Sequence, residues 1–297
     1  MLLDRVPLLC PVCRQGGLRP APDGRSLVCP EAGCCHPIVD GVPIVVEDWL
    51  GYARSERWMI LRRRDLPGWM ESMLDAPLGD GQAESIRASH LESYRRSHYQ
   101  APPAELATLA GALPAFVERV LAEHAPRDSR LALDAGCATG GHTQMLARYT
   151  ECAVGIDFHF ERVRLAVELA PADARTVFLV ANAETPPFEP GCFDVVLALN
   201  LIDSIARPRV ALAGLNQCLR SGGLLVLTTP FHWSSVCTEP AEWLSETELG
   251  SALEAGYDLL CEQPRLPWVL PLGSRHADIF FVRAWALRKR LECGSFI

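Results

Sequence analysis

The sequence is almost without lysine. Lys289 is the one lysine in 297 residues, so arginine supplies nearly all of the 28 cationic side chains. No part of the chain is basic. Residues 1–130 carry 15 arginines against 17 acids, residues 131–297 carry 13 cations against 19 acids, and the net charge is −8. A protein that holds RNA or DNA by neutralising phosphates shows a basic excess somewhere. Nucleic acid therefore ranks low as a partner. No run of eighteen apolar residues occurs, so no membrane-spanning helix is expected. The opening MLLDRVPLLC is broken at Asp4 and Arg5 and leads straight into cysteines, unlike a signal peptide. The expected location is the cytoplasm. Disorder is excluded too, because 49% of the residues are hydrophobic, enough to build a full core. The length predicts one main domain with an appendage.

Cysteine is plentiful. Of the 12 cysteines, five fall within the first 35 residues: Cys10, Cys13, Cys29, Cys34 and Cys35. The others are scattered singly, as small core hydrophobes are. Cys10-Pro-Val-Cys13 has the spacing of a metal knuckle, and Cys29-Pro-Glu-Ala-Gly-Cys34 is a second, looser one. Two such pairs supply four thiolates to a tetrahedral ion, for which Zn²⁺ is the usual occupant. Cys10, Cys13, Cys29 and Cys34 are the expected ligands, with Cys35 and His36 as alternatives for the fourth. A module of this size buries too little surface to fold alone, so the metal would supply much of its stability. With four thiolates the coordination shell is closed and the ion structural. A redox role fits less well, because no thioredoxin-like strand–helix pattern surrounds the motif.

Residues 49–125 read as a helical linker and lid. Arg62, Arg63 and Arg64 read as a solvated helix face, and residues 75–83 as a loop. From Glu105 to Leu121 the apolar residues follow helical spacing, with Pro114 marking a kink or a fresh start. Tyr94 and His98 stand four apart and share a helical face. With Tyr99 they are candidates for a lid over a ligand, or for packing between domains.

From Leu131 onward, strand-like runs alternate with helical ones, the pattern of a doubly wound α/β parallel sheet. The first run ends at Asp134 and turns through Gly136 and Gly140. These glycines let the backbone turn sharply and approach a ligand closely. The second run, CAVGIDFHF, ends at Asp157. An acid about twenty residues beyond a glycine turn can accept hydrogen bonds from both ribose hydroxyls. The third run ends at Asn182-Ala183-Glu184, the fourth near Asn200, and the fifth follows a glycine turn to Thr229.

This succession resembles the class I S-adenosylmethionine-dependent methyltransferases across residues 131–230. The resemblance implies a Rossmann-like sheet over residues 126–297, behind a zinc-ribbon module at residues 1–48. It implies that Asp134, Gly136 and Gly140 line the methionine moiety of S-adenosylmethionine, with Cys137 and Ala138 also meeting the cofactor. Asp157 would hold the ribose, and Phe158 would pack on the adenine. Asn182 and Ala183 would face the adenine edge, with Glu184 also meeting the cofactor and Asn200 and Leu201 beside the sulfonium. The family usually carries Asp where Asn182 stands. The stretch from His36 to Val46 resembles the small zinc-ribbon proteins that activate tRNA and protein methyltransferases, with His36 where those proteins often have tyrosine.

A narrower resemblance spans residues 131–290. Gly155-Ile156-Asp157-Phe158, Asn200-Leu201-Ile202-Asp203, Thr228-Thr229-Pro230-Phe231-His232-Trp233, Thr238-Glu239-Pro240, Trp243-Leu244 and Leu266-Pro267-Trp268 look like the methyltransferase domain of the ovothiol pathway. That domain methylates the imidazole of a mercaptohistidine. Ser245-Glu246 replace its usual glycine pair, and the fused sulfoxide-synthase portion is absent. The expected function is therefore methyl transfer to an imidazole or amine nitrogen of a small amino-acid-derived metabolite. The expected catalytic candidates are His232, Trp233, Glu239 and Tyr99. The loop after the fifth strand lies at the carboxyl edge of the sheet, where its aromatic residues would roof a pocket. A second reading is an rRNA or tRNA base methyltransferase that uses the ribbon to recognise RNA. A third is a silent fold whose ribbon docks a protein partner.

Overall fold

The computed structural model describes residues 2–56, 82–172, 175–273 and 275–291, with the backbone alone for 82–90. The basic run Arg62–Arg64 and most of the expected loop at 75–83 lie outside the described residues.

Four short strands open the chain: β1 (Arg19–Pro20), β2 (Ser26–Val28), β3 (Cys35–Val39) and β4 (Val42–Pro43). They form an antiparallel sheet in that order. The helices α1 (Trp49–Ser55), α2 (Gln82–Tyr99) and α3 (Ala107–His124) follow. The remainder alternates as β5 (Leu131–Ala135), α4 (Gly141–Leu146), β6 (Cys152–Asp157), α5 (Phe160–Leu169), β7 (Thr176–Val180), β8 (Phe193–Leu199), α6 (Pro208–Cys218) and β9 (Leu219–Thr229). It ends with α7 (Glu246–Gly256), β10 (Tyr257–Gly273) and β11 (His276–Lys289).

The large sheet has seven strands in the order β10-β11-β9-β8-β5-β6-β7. From β9 to β7 all neighbours are parallel, while β11 is antiparallel to both β9 and β10. Helices cover both faces of the parallel part, so its strands are apolar runs rather than alternating ones. In β6 all six residues are buried, including Asp157, and in β5 four of five are. The chain builds β5, β6 and β7 outward, then returns to place β8 on the other side of β5. Ligands bind at such a reversal, beyond the carboxyl ends of the strands.

The apolar face of α3 packs on this sheet through Leu113, Phe116, Val117, Val120 and Leu121. The helix runs unbroken through Pro114, where a kink or restart was expected. The hairpin partner β10 was not expected, since it contains Pro264, Pro267 and Pro271. It is an edge strand, which tolerates residues without an N–H. Its pairing with β11 slips between Gln263 and Leu266 and again between Pro271 and Gly273.

The N-terminal module does not stand apart. Ile44 bridges Val180 in parallel, Val45 N donates to Val180 O at 2.8 Å, and Leu9 N donates to Pro187 O at 2.9 Å. The module thus continues the sheet past β7. Val39, Val42, Ile44, Val46 and Tyr52 share one buried cluster with Phe160, Phe178 and Val180. An exposed β7 would present unpaired backbone groups, and the module covers them.

Candidate cofactor and metal sites

A cavity of about 420 Å³ opens at the carboxyl ends of β5, β6 and β8. Asp134, Gly136, Cys137, Ala138, Asp157, Phe158, Asn182, Ala183, Glu184, Asn200 and Leu201 all line it. These are eleven of the twelve residues expected to meet the cofactor. Gly140 is not among them. Its φ is +84°, and a Cβ there would stand 2.8 Å from the Phe178 ring. Its role is to let the turn pass under that ring into α4.

The turn is fixed from both sides. Gly136 N and Cys137 N donate to Ile156 O, and Gly140 N donates to Cys137 O. Ala138 is held at φ 48°, and its N–H donates to Asp157 Oδ2 at 3.1 Å. Asp157 Oδ1 accepts from His159 N at 2.9 Å. The Arg162 guanidinium lies 3.7 Å from Asp157 Oδ2 and stacks over the Tyr94 ring. The Asp157 carboxylate is thus buried and oriented, with lone pairs left for further donors. Phe158 is 46% exposed and meets Tyr52 of α1 edge-on at 5.1 Å, so α1 braces one end of the cavity.

Asp134 is 2% exposed and accepts from Thr143 Oγ1 at 2.7 Å. Burial pushes its carboxyl up to about 7, and the neighbouring Asp157 adds to the effect. Asn182 Oδ1 accepts from Glu184 N, leaving the amide NH₂ free to donate. Glu184 accepts from both the N–H and Nε of Arg207, so its carboxylate braces the wall. Asn200 has φ 52° and accepts from Thr228 Oγ1 at 2.7 Å.

None of the four expected catalytic residues lines this cavity. Tyr99 OH donates to Thr139 O at 2.7 Å and accepts from Gln144 Nε2, which ties α2 to the glycine turn. His232 is exposed. Its N–H donates to Asp203 Oδ2, and its ring meets Phe280. Phe280 packs in turn on Trp268, which does line the cavity. Trp233 packs against the main core, and Glu239 is exposed at the start of a short 3₁₀ turn. The loop stands one layer back: Thr238 Oγ1 donates to Ile205 O, and Ile205 is part of the wall.

At the other end of the module, Cys10, Cys13 and Cys29 bring three Sγ atoms within 4.8 Å of one another. Each knuckle turns through a left-handed residue, Arg14 at φ 57° and Gly33 at φ 66°. Arg14 N donates to Cys10 O and Gly33 N to Cys29 O, so the two turns are built alike. Backbone N–H groups of Gln15 and Gly16 pull the Cys13 thiol down to about 7, while burial raises Cys10 and Cys29. Cys34 neighbours Cys10 but lies outside the tight group of three. His36 Nε2 is 3.8 Å from Cys10 Sγ, and its Nδ1 has no partner among the described residues. Three convergent thiols with a fourth thiol and an imidazole beside them suit a tetrahedral soft-metal site.

Residues 133–227 match the family profile described as a methyltransferase domain. The fold is that of a methyltransferase. The 2-methyl-6-phytyl-1,4-hydroquinone methyltransferase of Synechocystis sp. is 33% identical over 96 residues, 32% of this chain and 30% of that protein. The tRNA U34 carboxymethyltransferase of Sodalis glossinidius is 32% identical over 176 residues, 56% of this chain and 53% of that protein. The chain therefore spans between about a third and about half of these relatives. The crystal structure of the cyclase SpnF aligns with a TM-score of 0.50 at 15% identity, covering 73% of this chain and 98% of that one. That likeness concerns the fold alone.

Within this methyltransferase fold, the sequence pattern missed several cavity residues. His142, Arg162 and Trp268 line it together with Tyr94 and His98, the two lid candidates that do reach it. His142 and Arg162 lie two and four residues past the motif positions Gly140 and Phe158, on faces that periodicity cannot distinguish from plain packing.

Proposed function

We propose that this chain transfers a methyl group from S-adenosylmethionine to an imidazole or amine nitrogen of a small amino-acid-derived metabolite. The observation that carries the cofactor assignment is the oriented Asp157 carboxylate at the lip of the cavity, 3.1 Å from the glycine-turn amide of Ala138. Asp157 would bind both ribose hydroxyls, and Phe158 would lie on the adenine with Asn182 donating to its edge. Asn200 and Leu201 would flank the sulfur. When bound, the cofactor supplies a methyl group on a cationic sulfur. The chain's own task is then to hold a nitrogen lone pair in line with it and to keep water out. That demands position more than a strong base. The aromatic walls of Tyr94 and Trp268 suit a planar acceptor, and the net charge of −8 supports a small substrate over RNA.

The RNA reading is favoured by one observation, the likeness to the tRNA U34 carboxymethyltransferase of Sodalis glossinidius. Incubation with methyl-labelled S-adenosylmethionine and a cell extract split by size separates the two. Label in the small-molecule fraction is expected. Label confined to RNA would overturn the small-molecule reading.

We also infer that Cys10, Cys13, Cys29 and Cys34 hold one structural Zn²⁺. The support is the convergence of three Sγ atoms on two matching turns.

A further inference from the structure

The cavity holds a pair of imidazoles that the cofactor motif does not include. His98 of α2 and His142 of α4 meet edge-to-face, with ring centroids 5.3 Å apart. Both line the cavity. His98 is locked in place: Gly141 N donates to its Nδ1 at 3.2 Å, and Nδ1 lies 2.8 Å from Thr139 Oγ1. An Nδ1 that accepts from a backbone amide carries no proton. The proton of the neutral ring therefore sits on Nε2, on the edge away from the turn.

The glycine turn itself has little to offer an anion. Gly136, Cys137, Ala138, Gly140 and Gly141 each donate their N–H to a partner within the protein. Among the described cavity-lining residues the one guanidinium or ammonium is Arg162, and it is engaged by Asp157 and Tyr94. Any carboxylate entering beside the glycine turn must find its donors elsewhere.

We propose that His98 and His142 receive the carboxylate of the cofactor's amino-acid end, His98 through its Nε2–H. The proposal rests on the S-adenosylmethionine reading above. Burial supports it by holding His98 down to about 3 and His142 to about 4, so both rings are neutral donors near pH 7. A neutral pair of rings is tolerated side by side, whereas a buried cation without a partner is costly. Hydrogen bonds to a carboxylate are stronger than those between neutral groups, so the pair discriminates for a ligand that brings this charge.

The test compares two nucleosides by isothermal titration. S-adenosylhomocysteine carries the amino-acid tail, and 5′-methylthioadenosine lacks it. His142→Phe keeps an aromatic ring without a polar atom, and His98→Gln keeps a donor while His98→Phe removes it. Thermal melts of all variants check folding. His142→Phe and His98→Phe are expected to weaken S-adenosylhomocysteine by about tenfold or more and methylthioadenosine by less than about twofold. His98→Gln should recover part of the loss. Equal weakening of both nucleosides, or of neither, would overturn the proposal. Failure of the native protein to bind either nucleoside would sink the cofactor reading first, and this proposal with it.

Discussion

Asp134 is a carboxyl buried at the end of a central strand, in the wall of the cavity. Its pKa rises from 3.8 to about 7, chiefly through burial. The folded protein thus binds a proton more tightly than the unfolded chain does. Between about pH 4 and pH 7 stability falls as pH rises. Asp134→Asn keeps an oxygen to accept from Thr143 and cannot ionise. Its stability advantage over the native protein should widen across that interval in denaturant titrations. An advantage that stays constant with pH would contradict the assignment. At Gly141 the constraint is space: a Cβ there would stand 2.7 Å from His98 Cγ. Gly141→Ala should push the imidazole off its bond and lower S-adenosylhomocysteine affinity as the His98 variants do, with little change in methylthioadenosine binding. The turn itself was legible through Gly136 and Gly140. The contact of Gly141 with His98, 43 residues away, was not, because no local pattern links them.

At the scale of elements, local chemistry explains starts and stops well. Ser245 caps α7 in a full capping box: its hydroxyl accepts from Glu248 N, and the Glu248 carboxylate accepts from Ser245 N. Ser245→Ala should cost about 1 kcal/mol, read by chemical denaturation. The two cysteine knuckles were legible for the same reason, since each is a short turn set by its own sequence. Purified protein is expected to carry one zinc per chain by elemental analysis. Cys10→Ser should lower both metal content and melting temperature, and a strong chelator should lower the native melting temperature. Unchanged melting after complete metal removal would refute a structural role. The strand β10 was illegible because its prolines argue against a strand until its place at the sheet edge is known. In α3, packing on the sheet outweighs the N–H bond that Pro114 forgoes toward Ala110.

Across the whole molecule, the N-terminal module and the large sheet form one continuous structure. The module covers β7 and buries Phe160, Phe178 and Val180 against its own Val39, Val42 and Ile44. Phe188 packs with Val6, Leu8 and Leu27 in the main core. Removing residues 1–48 would expose these side chains and a free strand edge together. The truncated chain should aggregate or elute as large species in size-exclusion chromatography, where the full chain elutes as discrete species. A soluble, discretely eluting truncation would show that the module is dispensable for the fold. The hydrogen bonds at Leu9 and Val45 join the N-terminal module to the large sheet.

What the sequence determined by itself was local and periodic. Apolar runs gave the parallel strands, glycine spacing the turn, and Asp157 its place at a strand end. Cysteine spacing marked the knuckles. These follow from backbone geometry within a few residues. The tertiary structure decided what meets what across long stretches of chain. It set the Phe231–Trp243 loop one layer behind the cavity and brought His98, His142, Arg162 and Trp268 into its wall. It also paired Ile44 with Val180. Such contacts depend on how helices and strands pack, and that packing is fixed by the whole core at once.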